Sequence, residues 1–306
     1  MWLAYACGSA FFGGICAILA KVGIKKTDAT LATAIRTVVV LIFAWLMVWL
    51  TGVQDAIYAI DRHTLLFLVL SGLATGASWI CYFRALQLGD VNKVTPIDKS
   101  STVLTMILAV LLLGESWNLD RIIAAVAIGI GTLLMITRQK SGGRAKSGNW
   151  LLYAVLSALF ASLTSILAKV GMEDIPSDLG TAIRTTVVLI MAWIVVFIGK
   201  KQKELRTVTF HDVAFISLSG IATGASWICY YHALKLGEAG IVVPIDKLSI
   251  VVTVAFSSVF LNEKLSKRAF FGLVLIVAGT LLLIFNVNIW YRIQMIWKGM
   301  AGLFAS

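Results

Sequence analysis

The chain has 306 residues, of which 59% are hydrophobic and 13% are charged, and its formal net charge is +11 at pH 7. Continuous apolar runs of about 20 residues recur along it, and an α-helix of that length crosses the roughly 30 Å hydrocarbon core of a bilayer. These runs exclude a soluble globular protein, and their lack of alternation excludes a transmembrane β-barrel. The short connectors leave no soluble domain for a basic nucleic-acid-binding face, so we expect no nucleic-acid partner.

The apolar runs predict an all-α integral membrane protein with ten transmembrane helices, and the lipid bilayer is its expected environment. In chain order the predicted spans are 2–21, 31–51, 65–87, 94–113, 121–137, 149–169, 180–199, 213–235, 242–261 and 268–286. The first run could be a signal peptide, but it lacks a basic start and a small-residue cleavage site. We therefore interpret it as a span.

The same segment occurs twice in the chain. Residues 1–138 and 149–286 align at a fixed offset of 148 without a gap, and 71–89 and 219–237 are identical at 15 of 19 positions. Each copy carries an odd number of predicted spans, so the second copy enters the bilayer in the opposite orientation. We expect two inverted five-helix repeats joined by a basic cytoplasmic linker at 139–148.

Basic residues are distributed unevenly between the two sides of the predicted membrane protein. Fourteen fall in connectors on one side: Lys25, Lys26, Lys93, Arg138, Lys140, Arg144, Lys146, Lys200, Lys201, Lys203, Arg206, Lys264, Lys267 and Arg268. Five fall on the other side: Arg62, Arg121, Lys235, Arg292 and Lys298. The positive-inside rule therefore predicts a multi-pass protein of the cell membrane, plasma or inner, with both termini outside the cytoplasm.

Charged residues inside the predicted spans form two clusters, one toward each membrane face. A buried ionisable group costs about 2.5–3.5 kcal/mol at mid-helix, so its presence needs a reason. One interpretation is interfacial: the basic chains extend to the surface, and Pro96 and Pro244 occupy first helical positions. The other is that each cluster is a gate, closed when an aspartate pairs with a neighbouring cation. The predicted gating and coupling residues are Arg36, Asp98, Lys99, Arg184, Asp246 and Lys247.

The third and eighth spans carry a helical stripe that is small at one end and aromatic at the other. Its glycines are predicted to let helices approach closely, and they are Gly72, Gly76, Gly220 and Gly224. The aromatic end is either ordinary packing or the lining of a central substrate cavity. The second interpretation gives the candidate substrate-binding residues Trp79, Tyr82, Ser78, Trp227, Tyr230 and Ser226.

Enzymatic signatures are not apparent. The four cysteines show neither a disulfide framework nor a metal-binding spacing, and no nucleotide-binding motif is present. The three histidines do not form a recognisable acid–base or metalloprotease pattern. We expect no enzyme, no cofactor and no metal.

Several motifs recur in order in both copies: arginine in the second span, Ala–Leu at the end of the third, proline in the fourth, and Leu-Gly-Glu or Leu-Asn-Glu after it. They lie at Arg36, Ala85–Leu86, Pro96 and Leu113–Glu115, and at Arg184, Ala233–Leu234, Pro244 and Leu261–Glu263. In these features the chain resembles the EamA-type branch of the drug/metabolite transporter superfamily. The resemblance implies a central cavity, alternating access and, in most members, export of amino acids, metabolites or toxic organic compounds.

Each half also resembles the single-repeat, five-span members of that family, which would act as pairs. A monomer of the present chain is therefore expected to suffice for transport, with a homodimer as the alternative. Ten-span members generally have cytoplasmic termini, whereas the loop charge here predicts the reverse.

The sequence thus predicts a secondary transporter for small polar or amphipathic solutes, with Asp98 and Asp246 as candidates for proton coupling. The alternative is a flippase for a lipid or a lipid-linked anionic head group. The segment 287–306 has no repeat equivalent and is predicted to be an interfacial amphipathic helix, or else a continuation of the last span.

Overall fold

The computed structural model describes residues 1–23, 28–88, 94, 97–135, 149–261 and 266–303. Within these ranges the chain is helical and no β-strand is found. In the first copy the helices are α1 (Trp2–Gly23), α2 (Ala29–Leu50), α3 (Arg62–Leu88), α4 (Ser101–Leu113) and α5 (Leu119–Met135). In the second they are α6 (Trp150–Gly171), α7 (Ser177–Ile198), α8 (Phe210–Leu236), α9 (Ala239–Asp246), α10 (Ser249–Leu261) and α11 (Lys267–Leu303). Short 3-10 helices follow α2, at Gln54–Ala59, and α7, at Lys201–Thr207.

Helices of one copy pack mainly on helices of the other. The helix α1 lies against α8 and α6 lies against α3, while α2 packs on α7 and α5 on α11. At the face where α1 begins, its Trp2 contacts Gly237 after α8, and Lys169 near the end of α6 donates to the carbonyl of Leu234. Because α6 ends where its equivalent α1 begins, the two copies run in opposite directions.

Glycines set the closest of these helix contacts. An added Cβ on Gly72 would lie 2.7 Å from the Cβ of Val187, and one on Gly220 would lie 2.7 Å from the Cβ of Val39. Such a separation is too short for two carbon atoms, so α3 and α7, and likewise α8 and α2, meet at a distance that requires glycine.

The number of membrane spans is supported in part. Among the described residues, eight helical segments are long and apolar enough to cross a membrane, and Ala239–Phe256, which covers α9 and part of α10, is counted as one of them. The helices α4 and α5, with 13 and 17 described residues, are shorter than that requirement. Ten spans therefore stay a prediction.

The predicted ninth span is not a continuous helix. It is divided into α9 and α10 by a turn at Lys247 and Leu248, and Pro244 lies inside α9. The expectation that Pro244 occupies a first helical position is wrong, because α9 already begins at Ala239. The carboxylate of Glu115 accepts the N–H groups of Ala239 and Gly240 and so provides the partners that start this helix earlier. Proline removes one backbone donor from so short a helix, and the turn follows.

The last helix extends past the predicted tenth span. The backbone of α11 is one helix from Lys267 to Leu303, which matches the alternative of a continued span. The position of its last part at the membrane surface stays a prediction.

Candidate functional site

A polar-walled cavity of about 380 Å³ lies between the two copies. Its lining from the first copy includes Cys16, Arg36, Thr75, Trp79, Thr102 and Thr105. Its lining from the second copy includes Thr164, Ser165, Trp227, Tyr230, Tyr231, Asp246 and Lys247. Hydroxyls, indole rings and a few charges thus surround a space large enough for a small organic molecule.

The predicted substrate-binding residues fall into two groups. The cavity is lined by Trp79, Trp227, Tyr230 and Ser226. In contrast, Ser78 is buried between helices, and Tyr82 packs beside Ala85 and Ala154, away from the cavity. Their part in binding a solute stays a prediction.

The two predicted coupling aspartates each meet a serine of the other copy. The hydroxyl of Ser9 in α1 donates to Asp246 at 2.6 Å, and that of Ser157 in α6 donates to Asp98 at 2.8 Å. Because Ser9 and Ser157 are equivalent at the 148-residue offset, so are the two bonds. Each aspartate therefore accepts a hydrogen bond from the opposite copy. A serine in an apolar helix costs little free energy, so Ser9 and Ser157 were not selected from the sequence. Their presence at equivalent positions of both copies could have indicated them.

The lysine that follows Asp246 lines the cavity. The ammonium group of Lys247 is 3.6 Å from the carboxylate of Asp246, and 45% of the Lys247 side chain is exposed. The side chain of Lys99 is accessible as well, and its charge lies close enough to that of Lys247 to interact with it. The pairing of an aspartate with a neighbouring cation, expected for a closed gate, is thus present at Asp246.

The two repeat-equivalent arginines have different surroundings. Arg184 is 0% exposed; its Nη2 donates to Thr75 at 2.9 Å and its Nε to Ser71 at 3.3 Å. Its guanidinium also lies over the rings of Tyr231 and Trp227, 4.3 and 5.5 Å from their centroids. Arg36 instead lines the cavity. The sequence placed both arginines in equivalent clusters and contained no sign of this difference.

A second set of charges closes the face where α1 begins, here called the N-terminal face. Arg121 forms salt bridges with Glu238 and with Glu115, the latter at 3.7 Å, and we call these three residues the Arg121 cluster. Only 10% of the Arg121 side chain and 5% of that of Glu115 are exposed. Burial raises the pKa of Glu115, although the N–H of Gly240 opposes that change.

Backbone carbonyls hold further cations at the same face. Lys169 donates to the carbonyls of Leu234 and Gly237, and Lys235 donates to that of Ile175 at 2.6 Å. These bonds lie within the second copy and connect the end of α6 and the connector after it with the end of α8. The Arg121 cluster adds polar contacts with the first copy at the same face. The sequence assigned Lys235 and Arg121 to connectors and missed these roles.

The comparison with known families decides the class of the protein. The model of the EamA-like transporter family matches residues 1–137 and 148–285. The chain belongs to the EamA-like transporter family. The resemblance seen in the sequence motifs is thereby confirmed, and the two matches coincide with the two copies. The EamA-like chain is accordingly a multi-pass membrane protein of a transporter family.

Relatives of the EamA-like chain include proteins of about one repeat in length. An uncharacterized transporter from the region 3′ of cobO in Sinorhizobium sp is 49% identical over 138 residues, which are 45% of this chain and 97% of the relative. An uncharacterized protein of Methanocaldococcus jannaschii is 30% identical over 133 residues, which are 44% of this chain and 94% of the relative. Half of the EamA-like chain thus corresponds to nearly all of each relative.

Longer similarities cover both repeats. An uncharacterized transporter of Archaeoglobus fulgidus is 25% identical over 226 residues, which are 74% of this chain and 78% of the relative. A crystal structure of a protein superposes with a TM-score of 0.74 at 14% identity and covers 93% of this chain and 98% of that one. This last similarity supports the fold alone.

Proposed function

We propose that this EamA-like chain is a secondary transporter that exports small polar or amphipathic metabolites, such as amino acids, by alternating access. The observation that carries the proposal is the polar cavity between two oppositely directed copies, closed at the N-terminal face. Ten spans in the cell membrane, as the sequence predicts, complete the proposed arrangement.

Alternating access requires two states that exchange the roles of the two copies. Equivalent residues that lie in different environments support such an exchange. Because the two copies have similar sequences, each residue can adopt the environment that its equivalent has in this structure. In this structure Arg184 is sealed away while Arg36 lines the cavity. Rocking one copy against the other would reverse this assignment.

Proton coupling is supported by the placement of Asp98 and Asp246. Each carboxylate accepts a bond across the interface between the copies, so its protonation would change an interaction that the rocking motion must break. Export is the direction that the family resemblance favours.

The flippase alternative has less support from the cavity. A volume of about 380 Å³ is near the lower end of small-molecule sites and suits an amino acid better than a lipid-linked head group. We therefore retain the solute transporter as the proposed function.

Flux into proteoliposomes tests the proposal. Purified protein would be offered a panel of radiolabelled amino acids and related metabolites, with and without a pH gradient. We expect accumulation of at least one solute to depend on the gradient. Asp98→Asn and Asp246→Asn should each lower gradient-driven flux about tenfold or more, the effect of roughly 1.4 kcal/mol on a rate-limiting step.

The matched control is Asp55→Asn, in the 3-10 helix after α2, which should leave flux unchanged. Wild-type flux in both aspartate variants would remove the carboxylates from the mechanism. No gradient-dependent flux of any solute in the panel would contradict a proton-coupled metabolite transporter.

A further inference from the structure

Arg184 lies in a cage of side chains from both copies. Hydroxyls of Ser71 and Thr75 on α3 accept from its guanidinium, and the rings of Trp227 and Tyr231 on α8 cover it. The remaining nitrogen, Nη1, is buried without a partner among the described residues. This cage satisfies most of the arginine and keeps it from the cavity.

Residues equivalent to those of this cage are present in the sequence for Arg36 as well. At the 148-residue offset, Ser71 and Thr75 correspond to Ser219 and Thr223, and Trp227 corresponds to Trp79. Tyr231 corresponds to Phe83, which keeps the ring and lacks the hydroxyl. Every residue that covers Arg184 therefore has a sequence counterpart for Arg36.

In this structure the second cage is not closed on its arginine. The hydroxyl of Ser219 donates to the carbonyl of Cys16 at 3.2 Å, and Thr223 lies 2.9 Å from the Cys16 thiol. Arg36 reaches only the Cys16 sulfur, at 3.7 Å from Nη1, and its Nε is buried without a partner among the described residues. A guanidinium in this situation is under-bonded, which is costly in a low-dielectric site.

The net charge of the cavity lining indicates which kind of group would bind Arg36. The charged side chains that line it are Arg36, Asp246 and Lys247. Asp246 already accepts from Ser9 and lies near Lys247, so the described lining leaves one positive charge in excess, on Arg36. A planar guanidinium with free donors suits a carboxylate, which it can bind through two parallel bonds.

We propose that Arg36 and Arg184 are alternating binding sites for the anionic group of the solute, a carboxylate in the simplest case. Arg36 lines the cavity in the state seen here, while Arg184 is caged. In the opposite state Ser219, Thr223 and Trp79 close on Arg36, and Arg184 is released. The inference rests on the proposed transport function and adds to it the chemical class of the solute.

Cys16 is a built-in reporter for this site. A variant with Cys16 as the sole cysteine (Cys7→Ser, Cys81→Ser and Cys229→Ser) would be labelled with two methanethiosulfonates, the anionic ethylsulfonate and the cationic ethyltrimethylammonium. Arg36 should favour the anionic reagent. Arg36→Gln should lower the ratio of anionic to cationic labelling rates about fivefold or more, because a unit charge about 4 Å away has an effect of that size even at the dielectric constant of bulk water.

The matched control is Arg184→Gln, which should leave the ratio at Cys16 unchanged because Arg184 is caged. Arg36→Lys keeps the charge and should keep the ratio. Arg36→Met also removes the charge and replaces Arg36→Gln if the latter does not fold. An unchanged ratio in well-folded Arg36→Gln would overturn the site. A fall in the ratio in Arg184→Gln would overturn the asymmetry.

A mirror variant tests the alternation. Thr164 is the equivalent of Cys16, so Cys16→Thr with Thr164→Cys moves the sole thiol beside Arg184. Arg121→Ala, which copies Ala269 of the second copy, should open the N-terminal face. In that background the ratio at position 164 should rise about fivefold, and Arg184→Gln should abolish the rise. Glu238→Gln serves the same purpose if Arg121→Ala does not fold.

A ratio at position 164 that never depends on Arg184 would overturn the alternation. These labelling rates do not require a transported substrate. If the ratios change as expected while no solute is transported, the arginine sites stand and the proposed transport function fails. If a solute is transported while the ratios stay unchanged, the transport function stands and the arginine sites fail.

Discussion

At the residue scale, charge was the informative signal in this sequence and hydroxyls were not. Arg36, Arg184 and the two aspartates could be selected because a charge inside an apolar run needs a compensating partner. Ser9 and Ser157 could not be selected on the same ground, since serine is tolerated in any helix interior. Yet these serines determine which copy each aspartate contacts.

Identical residues of the two copies also have different neighbours. The hydroxyl of Tyr230 lies 2.8 Å from that of Ser165, whereas the position equivalent to Ser165 is Ala17. Tyr230 lines the cavity and its equivalent Tyr82 does not. The repeat predicts which residue types recur, but the environment of each depends on partners that have diverged.

Loss of a serine donor should slow transport. Ser9→Ala removes the hydrogen bond that Asp246 accepts from α1, so gradient-driven flux should fall about tenfold, the effect of a charge-assisted hydrogen bond of roughly 1.5 kcal/mol. Ser157→Ala should act likewise through Asp98. Flux would be measured in proteoliposomes under one fixed pH gradient.

Ser162→Ala is the matched control, because the Ser162 hydroxyl donates to the Leu159 carbonyl within its own helix. A loss of flux of equal size in the control would attribute the effect to helix packing and not to the aspartates.

At the element scale, the glycine motifs could be recognised in the sequence and the broken helix could not. Gly72 and Gly220 lie at close helix contacts, as the GxxxG spacing indicates. The division of the ninth span into α9 and α10 could not be read from Pro244 alone. It depends on Glu115, which comes from a connector of the other copy and starts α9 at Ala239.

Alanine at the glycine contacts should destabilise the protein. Gly72→Ala and Gly220→Ala each force a methyl group against valine, and we expect a loss of about 1–3 kcal/mol, as for other overpacked interiors. The thermal unfolding midpoint in detergent should fall in both variants by a similar amount. Gly72→Ala combined with Val187→Ala should recover part of the loss.

Gly129→Ala provides the comparison on α5, where the added Cβ would be 3.4 Å from the Val103 side chain, an ordinary contact. It should be neutral or should raise the midpoint, because alanine favours helix by up to about 1 kcal/mol. Equal losses at all three glycines would show that the close contacts are not the cause.

At the scale of the whole molecule, the inverted duplication was accessible from the sequence and the conformational state was not. The fixed offset and the odd span count predict two oppositely directed copies, and α1 and α6 run in that way. Nothing in two similar copies indicates which face is closed. The N-terminal face is closed because Arg121 and Glu238 meet there, and Arg121 corresponds to Ala269 in the second copy.

Membrane orientation is testable with reporters. The distribution of basic residues predicts that both termini lie outside the cytoplasm. Alkaline phosphatase fused after Ser306 should therefore be active, and green fluorescent protein at the same site should be dark. Fusions after Gly143, in the linker, should give the opposite pattern. A fluorescent C-terminal fusion with an inactive phosphatase would reverse the orientation.

The substitution of Arg121 by alanine in the second copy has an energetic consequence. An antiparallel pair of identical single-repeat chains presents the same sequence to both faces, so symmetry makes its two conformations equal in free energy. A fused chain is free of that constraint. Each salt bridge that one copy has and the other lacks shifts the balance between the conformations, by about 1.4 kcal/mol for every tenfold change in their populations. Divergence between the copies thus gives this chain a resting state, which a pair of identical chains cannot have.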